Sequence, residues 1–468
     1  MKNVCVKEDK TIKETMKIID HGGIGTVFII DKDDRLIGVA TDGDIRRAIL
    51  QGANLKTSIK EFMNNSPITI KNNWTEKHIK KLLQTDEIYK LIPKHGLLKI
   101  PVLDEKNHIV DIIFVSEQGY EIYANYKKGP GDKGKNVKPV NNVLVVGGAG
   151  FLGSILCEKL LDRGYMVRVL DNLTYGIHGL RNVSDHPKFE FIRGDMRDIQ
   201  TVVEAVKGMD AVIHLAAIVG DNASALDPEE TIEIDYLGTR MLADVCRYSQ
   251  INRFIFASTC SVYGTSPTPD TKIDENSKLN PVSLYAEMKL KSERGILDLV
   301  DENFSPTILR MATLYGLSPR MRFDLVVNTL TIKAIKEKAF TIFGGNQWRP
   351  NLHVNDAAEA YIKCLEMPIN KVKGKIYNVG SNKENYQIAK IGEIIGSIIP
   401  KAKMIIDKKK IDKRNYNVSF DKIKNLLKYT TKYNVKYGVK EIKKAVENGK
   451  FDDYTDDKYS NYKFLRKK

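Results

Sequence analysis

Cysteine is scarce in this chain. Its five cysteines, at positions 5, 157, 246, 260 and 364 of 468 residues, are odd in number and widely scattered. No two sit at a metal-binding spacing, and they make no disulfide framework. Long apolar runs are also missing: nothing approaches eighteen uninterrupted apolar residues, so no membrane-spanning helix is expected. The opening stretch, MKNVCVKEDKTIKE, is charged and lacks the apolar centre of a secretory signal. Together these absences point to a cytoplasmic protein with no metal and no membrane partner. Acidic residues are outnumbered, 59 against 74 Lys and Arg, for a net charge of +15. The excess is uneven, because residues 401–468 hold 21 Lys and Arg against nine Asp and Glu. That segment carries no nucleic-acid motif and its lysines are interspersed with Ile, Tyr and Asn. It reads as a solvated face, part of which can attract a diphosphate, and no nucleic-acid partner is expected.

What is present falls into three zones. Residues 1–125 alternate short apolar runs with charged helical stretches. Residues 126–141 (YKKGPGDKGKNVKPVN) are rich in Gly, Pro and Lys and read as a linker. From 142 to 468 a new pattern begins with a pure strand, NVLVV, followed at once by glycines.

The first zone contains a duplication. TVFIIDKDDRLIGVATDGDIRRAIL predicts strand, turn, strand and helix, and KIPVLDEKNHIVDIIFVSE repeats the strand–turn–strand part. The turns match in kind, Asp31 to Asp34 against Asp104 to Asn107. This resembles a tandem pair of CBS domains, an α+β regulatory module that binds adenine nucleotides. The resemblance implies that Thr41 and Asp44, at a helix start, contact ribose and phosphate of a regulatory nucleotide. Without the family, the pair also reads as a simple helix cap. The second repeat departs from the pattern: Ile113-Phe114-Val115-Ser116-Glu117 lacks the aspartate.

Between 142 and about 315 six strands alternate with helices: NVLVVG, MVRVLD, FEFIRGD, AVIHLAA, RFIFAST and PTILRMA, with helices at 151–162 and 231–249 among them. This predicts an α/β fold with a doubly wound parallel sheet of the Rossmann type. The residues from about 316 are expected to form a smaller C-terminal lobe for the substrate. Gly147, Gly150 and Gly153 lie between the first strand and helix. A turn without side chains lets backbone N–H groups approach a pyrophosphate, and a helix N-terminus favours its charge. Asp171 ends the second strand, where a carboxylate accepts the ribose hydroxyls of NAD and repels the 2′-phosphate of NADP.

Further motifs follow in order. They are Gly194-Asp195-Met196, His214-Leu215-Ala216-Ala217, Ser258-Thr259-Cys260-Ser261-Val262-Tyr263-Gly264, and Tyr285-x-x-x-Lys289. Later come Gly344-Gly345, Arg349, Asp356, Tyr377-Asn378-Val379-Gly380 and Arg414. With the glycine turn, this series resembles the extended short-chain dehydrogenases/reductases of the NDP-sugar epimerase/dehydratase group. The resemblance implies NAD as cofactor, held by Gly147, Gly150, Phe151, Leu152, Gly153, Asp171, Asn172, Asp195, Met196, Leu215, Ala216, Ala217, Tyr285 and Lys289. It implies Thr259, Tyr285 and Lys289 as catalytic residues. An NDP-sugar would contact Thr259, Arg320, Arg322, Arg349 and Arg414, and a homodimer or higher homo-oligomer is expected.

The Tyr285–Lys289 pair can be argued from spacing alone. The two residues are one helical turn apart, on one face. An ammonium beside the phenol favours phenolate, and so should lower the Tyr285 pKa and make it a base at neutral pH. Three departures bear on the reaction. Thr313 stands where relatives have Asn, Asp235 stands where Asn is frequent, and Cys260-Ser261 replace the Asp-Glu of 4,6-dehydratases. These features favour an epimerase acting at C4. A 4-oxidase or 4-ketoreductase using the same residues is the first alternative, and a non-catalytic NAD-binding regulator the second.

Overall fold

The computed structural model describes residues 4–22, 25–73, 98–115, 140–265, 271–301, 303–409 and 414–467. The chain divides into two compact units, Met1–Val137 and Lys138–Lys468. The division falls within the stretch read as a linker, of which residues 126–139 lie outside the described residues.

The smaller unit is built on a repeat that the backbone follows closely. Cys5–Lys7 pairs parallel with Thr26–Ile30, which pairs antiparallel with Leu36–Thr41. The second copy has the same layout, with Ile70–Lys71 parallel to Leu98–Leu103 and the latter antiparallel to Ile109–Val115. Each hairpin slips register at one point, Ile29/Ile30 and Val102/Leu103. Each turn is closed by its first aspartate. Asp31 Oδ1 accepts from the amides of Asp33 and Arg35, and Asp104 Oδ1 from those of Lys106 and His108. Asp34 and Asn107 both take the left-handed conformation, which short polar side chains tolerate best. Ser116 and Glu117 of the second repeat lie outside the described residues.

The larger unit holds a seven-stranded, wholly parallel sheet. In spatial order its strands are Lys375–Val379, Ser305–Met311, Arg253–Thr259, Ala211–His214, Asn142–Val146, Met166–Asp171 and Phe189–Arg193. The first of these strands in the chain, Asn142–Val146, sits inside, with chain order running away from it in both directions. The switch point lies between Asn142–Val146 and Ala211–His214, where ligands bind such sheets. Apart from Asn142 and His214 the two central strands are apolar, as a sheet covered on both faces requires; Val143 to Val146 and Ala211 to His214 are all buried.

Two expectations are corrected. The sheet has a seventh strand, Lys375–Val379, from the region assigned wholly to the C-terminal lobe. And the helix expected over 231–249 runs without a break over 228–248 but changes type, from α (Pro228–Ile232) to π (Glu233–Gly238) and back to α (Thr239–Tyr248). The C-terminal region adds a three-stranded sheet (Thr313–Tyr315, Trp348–His353, Asn385–Gln387) and a parallel pair (Ala339–Phe343, Lys403–Asp407). Among the described residues no helix is long and apolar enough to cross a membrane.

Candidate active site

One cavity runs over the switch point, and most of the anticipated residues line it. Its lining includes Gly147, Gly150, Phe151, Leu152, Gly153, Asp171, Asn172, Asp195, Met196, Leu215, Ala216 and Ala217. It also includes Thr259, Tyr285, Lys289, Arg320, Arg322 and Arg414, with Arg320 near enough to Asp171 to act on its carboxyl.

The glycine turn is fixed by close approach. Gly147 has φ +88°, and a Cβ there would lie 2.6 Å from the Ala216 nitrogen. A Cβ on Gly153 would lie 2.4 Å from the Gly147 carbonyl oxygen, so only glycine lets the helix Phe151–Asp162 start this near the strand. Its N-cap, Gly150, offers no side-chain cap, which leaves first-turn amides for an anion. Asp171 lies alongside: its Oδ2 accepts from the Ala149 amide at 3.0 Å and its Oδ1 from that of Leu173 at 2.8 Å. Burial pushes its carboxyl above the usual range, against the pull of those two bonds. Asp195 is held below the usual range by the Arg197 guanidinium, and Asn172 bonds it at 3.3 Å. This cradle, with an acid at the strand end, fits a dinucleotide.

Thr259 ends its strand, and its Oγ1 accepts from the Ser261 amide. Tyr285 and Lys289 stand on the helix Leu284–Leu297, whose cap Ser283 accepts from the Ala286 amide and donates to Asp221 at 2.8 Å. The Lys289 ammonium is 6.0 Å from the Tyr285 ring centre and 4.7 Å above the Phe256 ring. The expected lowering of the Tyr285 pKa is not found in the protein alone. Burial dominates and pushes the phenol up, with Asp235 adding to the rise; Arg322 and a Thr259 hydrogen bond work against it. Burial likewise lowers Lys289.

Below these residues lies a network that the sequence reading missed. Glu293, one turn beyond Lys289, accepts from Arg310 Nε at 3.0 and 3.3 Å and from its Nη2 at 2.7 Å, and it accepts from Ser258. Arg310 also donates to the Tyr263 hydroxyl, which donates to Asn378. The network ties the strand of Thr259 to the helix of Tyr285 and Lys289 and to the seventh strand.

The arginines divide. Arg322 pairs with Asp324 at 2.8 Å. Arg414 pairs with Asp221 at 3.0 Å. Arg320 is 95% buried and stacks over Tyr175 at 4.5 Å. Its Nε and Nη2 have no hydrogen-bond partner among the described residues, and burial pushes it down to about 10. Arg349 is not among the cavity's lining; its guanidinium donates to the Trp348 and Arg414 carbonyls and lies over the Tyr416 ring. Cys260 is buried, bonds the Arg310 carbonyl, and has its thiol pushed up by burial, so it is no nucleophile. Tyr175, Tyr361, Tyr416 and Asn461 also line the cavity, unforeseen because no local motif marks them.

The cavity is that of a dinucleotide-dependent sugar-nucleotide enzyme, and comparison with known proteins agrees. The profile of the NAD dependent epimerase/dehydratase family matches residues 143–380, and that of the CBS domain matches residues 1–51. The chain therefore belongs to the NAD dependent epimerase/dehydratase family and carries an N-terminal CBS domain, with NAD as its cofactor. It is 32% identical over 271 residues to an uncharacterized UDP-glucose epimerase of Bacillus subtilis, covering 55% of this chain and 81% of that one. It is 30% identical over 262 residues to the dTDP-D-glucose 4,6-dehydratase of Homo sapiens, covering 54% and 73%. Among solved structures, UDP-glucuronic acid 4-epimerase from Bacillus cereus, in complex with UDP-glucuronic acid and NAD, is 28% identical. It superposes with a TM-score of 0.57 over 65% of this chain and 99% of that one.

Proposed function

We propose that the larger unit epimerises an NDP-sugar at C4. The supporting observation concerns carboxylates. Among the described residues lining the cavity, the only carboxylates are Asp171 and Asp195, both assigned to the adenosine. Asp221 and Asp324 are each bonded to an arginine, and Asp235 is completely buried outside the cavity lining. Dehydration needs an acid for the leaving hydroxyl and a base for a ring proton; C4 inversion needs a single proton-transfer group.

In this reading bound NAD supplies the acceptor that takes and returns the C4 hydrogen with its electron pair. Gly147, Gly150 and Gly153 present backbone amides to the pyrophosphate. Asp171 accepts the adenosine ribose hydroxyls and Asp195 the adenine amino group. Tyr285 Oη takes the proton from the sugar 4-hydroxyl and later gives it back, Lys289 stabilises the phenolate, and Thr259 orients the same oxygen. Charge brought in with the oxidised cofactor favours the phenolate that burial disfavours. Arg320, Arg322 and Arg414 receive the diphosphate and the sugar; Arg320, buried without a hydrogen-bond partner at Nε and Nη2, is the most receptive of the three. Arg349 serves as support for the loop at Arg414. The CBS unit, in the same reading, takes an adenine nucleotide at Thr41 and Asp44.

Incubation with UDP-, GDP-, dTDP- and CDP-sugars, followed by NMR and mass spectrometry, tests the reaction. The expected product has unchanged mass and inverted C4. A product lighter by one water overturns the epimerase, and loss of two hydrogens with accumulating NADH replaces it with a 4-oxidase.

A further inference from the structure

Asp235 stands in the middle of the π-helical stretch Glu233–Gly238, and such bulges recur at functional sites. Its side chain is completely buried. Oδ1 accepts from the Ile218 amide at 2.7 Å, and Ile218 is part of the cavity wall. Oδ2 has no hydrogen-bond partner among the described residues. The backbone carbonyl of Asp235 accepts from Ser292 Oγ at 2.6 Å. Ser292 lies one turn beyond Lys289 on the same helix, so the bulge is clamped to the face that carries the lysine. A carboxylate is thus built into the protein between the cofactor wall and the Tyr285–Lys289 pair, with one oxygen unspent.

The groups around it leave it one main partner. Asp235 acts electrostatically on Lys289, on Tyr285 and on Tyr175. Lys289 in turn feels Asp235 and Glu293. Glu293 is already engaged by Arg310 through Nε and Nη2. His214, the other titratable neighbour of Lys289, is buried and pushed well below its ordinary value by burial, so it is neutral.

We propose that Asp235 is a positioning residue whose ionised carboxyl is the counter-charge that keeps Lys289 an ammonium beside Tyr285. This rests on reading Tyr285 and Lys289 as the catalytic pair. Burial raises the Asp235 carboxyl to about 7, with Lys289 pulling it down. The folded chain therefore keeps this proton where the unfolded chain has lost it. The sign follows: stability falls as pH rises from about 4 to about 7, and the counter-charge exists only above that window.

The test is a double-mutant cycle on the full chain, read by thermal unfolding at pH 5 and pH 8.5. Asp235→Asn keeps an oxygen acceptor for the Ile218 amide. At pH 8.5 the change in Tm it causes should be more positive in a Lys289→Met background than with lysine present, and at pH 5 the two changes should coincide. Equal changes at both pH values overturn the proposal. A second readout is the pH profile of turnover with an NDP-sugar. In Asp235→Asn the alkaline limb should move to lower pH by about one unit or more, as an opposite charge is removed. An unmoved limb overturns the proposal as well. If wild type turns over no NDP-sugar while the Tm cycle shows coupling, the reaction assignment has failed and the charge coupling of Asp235 to Lys289 stands.

Discussion

The helices that begin at Asp42 and at Phe151 both follow a strand and both face a site where a nucleotide was expected, yet they begin in opposite ways. The first is closed by its own side chains. Thr41 Oγ1 accepts from the Asp44 amide, and Asp44 Oδ2 accepts from the Thr41 amide and hydroxyl. The second starts at a glycine with no side-chain cap, and its first-turn amides are left for a ligand. A helix N-terminus is an anion site only while its amides remain unspent. The comparison leaves the Gly150 turn free of any side-chain cap, whereas a ligand at the Thr41 turn would have to share donors and acceptors with the cap.

The largest effect expected lies beyond the open turn. Tyr285→Phe should lose turnover by about a hundredfold or more, the scale of general acid–base catalysis, while NAD binding measured by calorimetry stays within a few-fold. Loss of both together would mean that the phenol holds the cofactor rather than moving a proton. Next comes the turn itself. Gly153→Ala sets a Cβ against the Gly147 carbonyl and the Gly148 backbone, where nothing flexible can give way. NAD affinity should fall about tenfold or more, because the helix has to retreat from the strand that presents it. Unchanged affinity would show that the open N-terminus is not what holds the pyrophosphate. Below that is cofactor choice. NAD should be preferred over NADP by about tenfold, and Asp171→Asn, which removes the charge and keeps one of the two acceptors that serve the Ala149 and Leu173 amides, should narrow the gap. Equal affinities in wild type would remove Asp171 from the ribose.

How much of this could be read in advance depended on whether the signal was local. The glycine turn, Asp171, Thr259 and Tyr285–Lys289 were legible because each chemistry needs fixed residue types at fixed spacing within one strand, turn or helix. Phe151–Asp162 was placed to the residue by its bounding glycine and apolar face. The seventh strand was not, because KIYNV is five residues long and lies between two stretches of lobe, where no periodicity separates a returning strand from a lobe strand. Arg349 was assigned to substrate by motif order, and only tertiary structure shows its guanidinium turned to the Arg414 carbonyl. The Glu293–Arg310–Tyr263 network joins residues from a helix and two sequence-distant segments, a pairing that spacing cannot reveal. The missing downward shift of Tyr285 has a related cause: helical spacing brings Lys289 near, but it does not count the burial of both groups.

The smallest effect is expected at the closed turn, and it decides whether that turn is a cap, a ligand site or both. Asp44 divides its oxygens between two tasks. Oδ2 belongs to the cap, while Oδ1 meets the Arg47 guanidinium at 2.5 Å, and that arginine is mostly solvent-exposed. An exposed ion pair contributes at most about 1 kcal/mol, so a ribose hydroxyl could take over Oδ1 without opening the cap. Asp44→Ala removes both roles. The cap alone is worth about 1 kcal/mol, which should appear as a small fall in the stability of the N-terminal unit with NAD affinity and turnover unchanged. Arg47→Ala keeps the cap and frees Oδ1. Calorimetry on the full chain with AMP, ADP and ATP then separates the cases. If the turn is a nucleotide site, wild type and Arg47→Ala bind and Asp44→Ala does not. If wild type and both variants give no heat with any of the nucleotides while Asp44→Ala still shows the stability loss, Thr41 and Asp44 are a helix cap and nothing more.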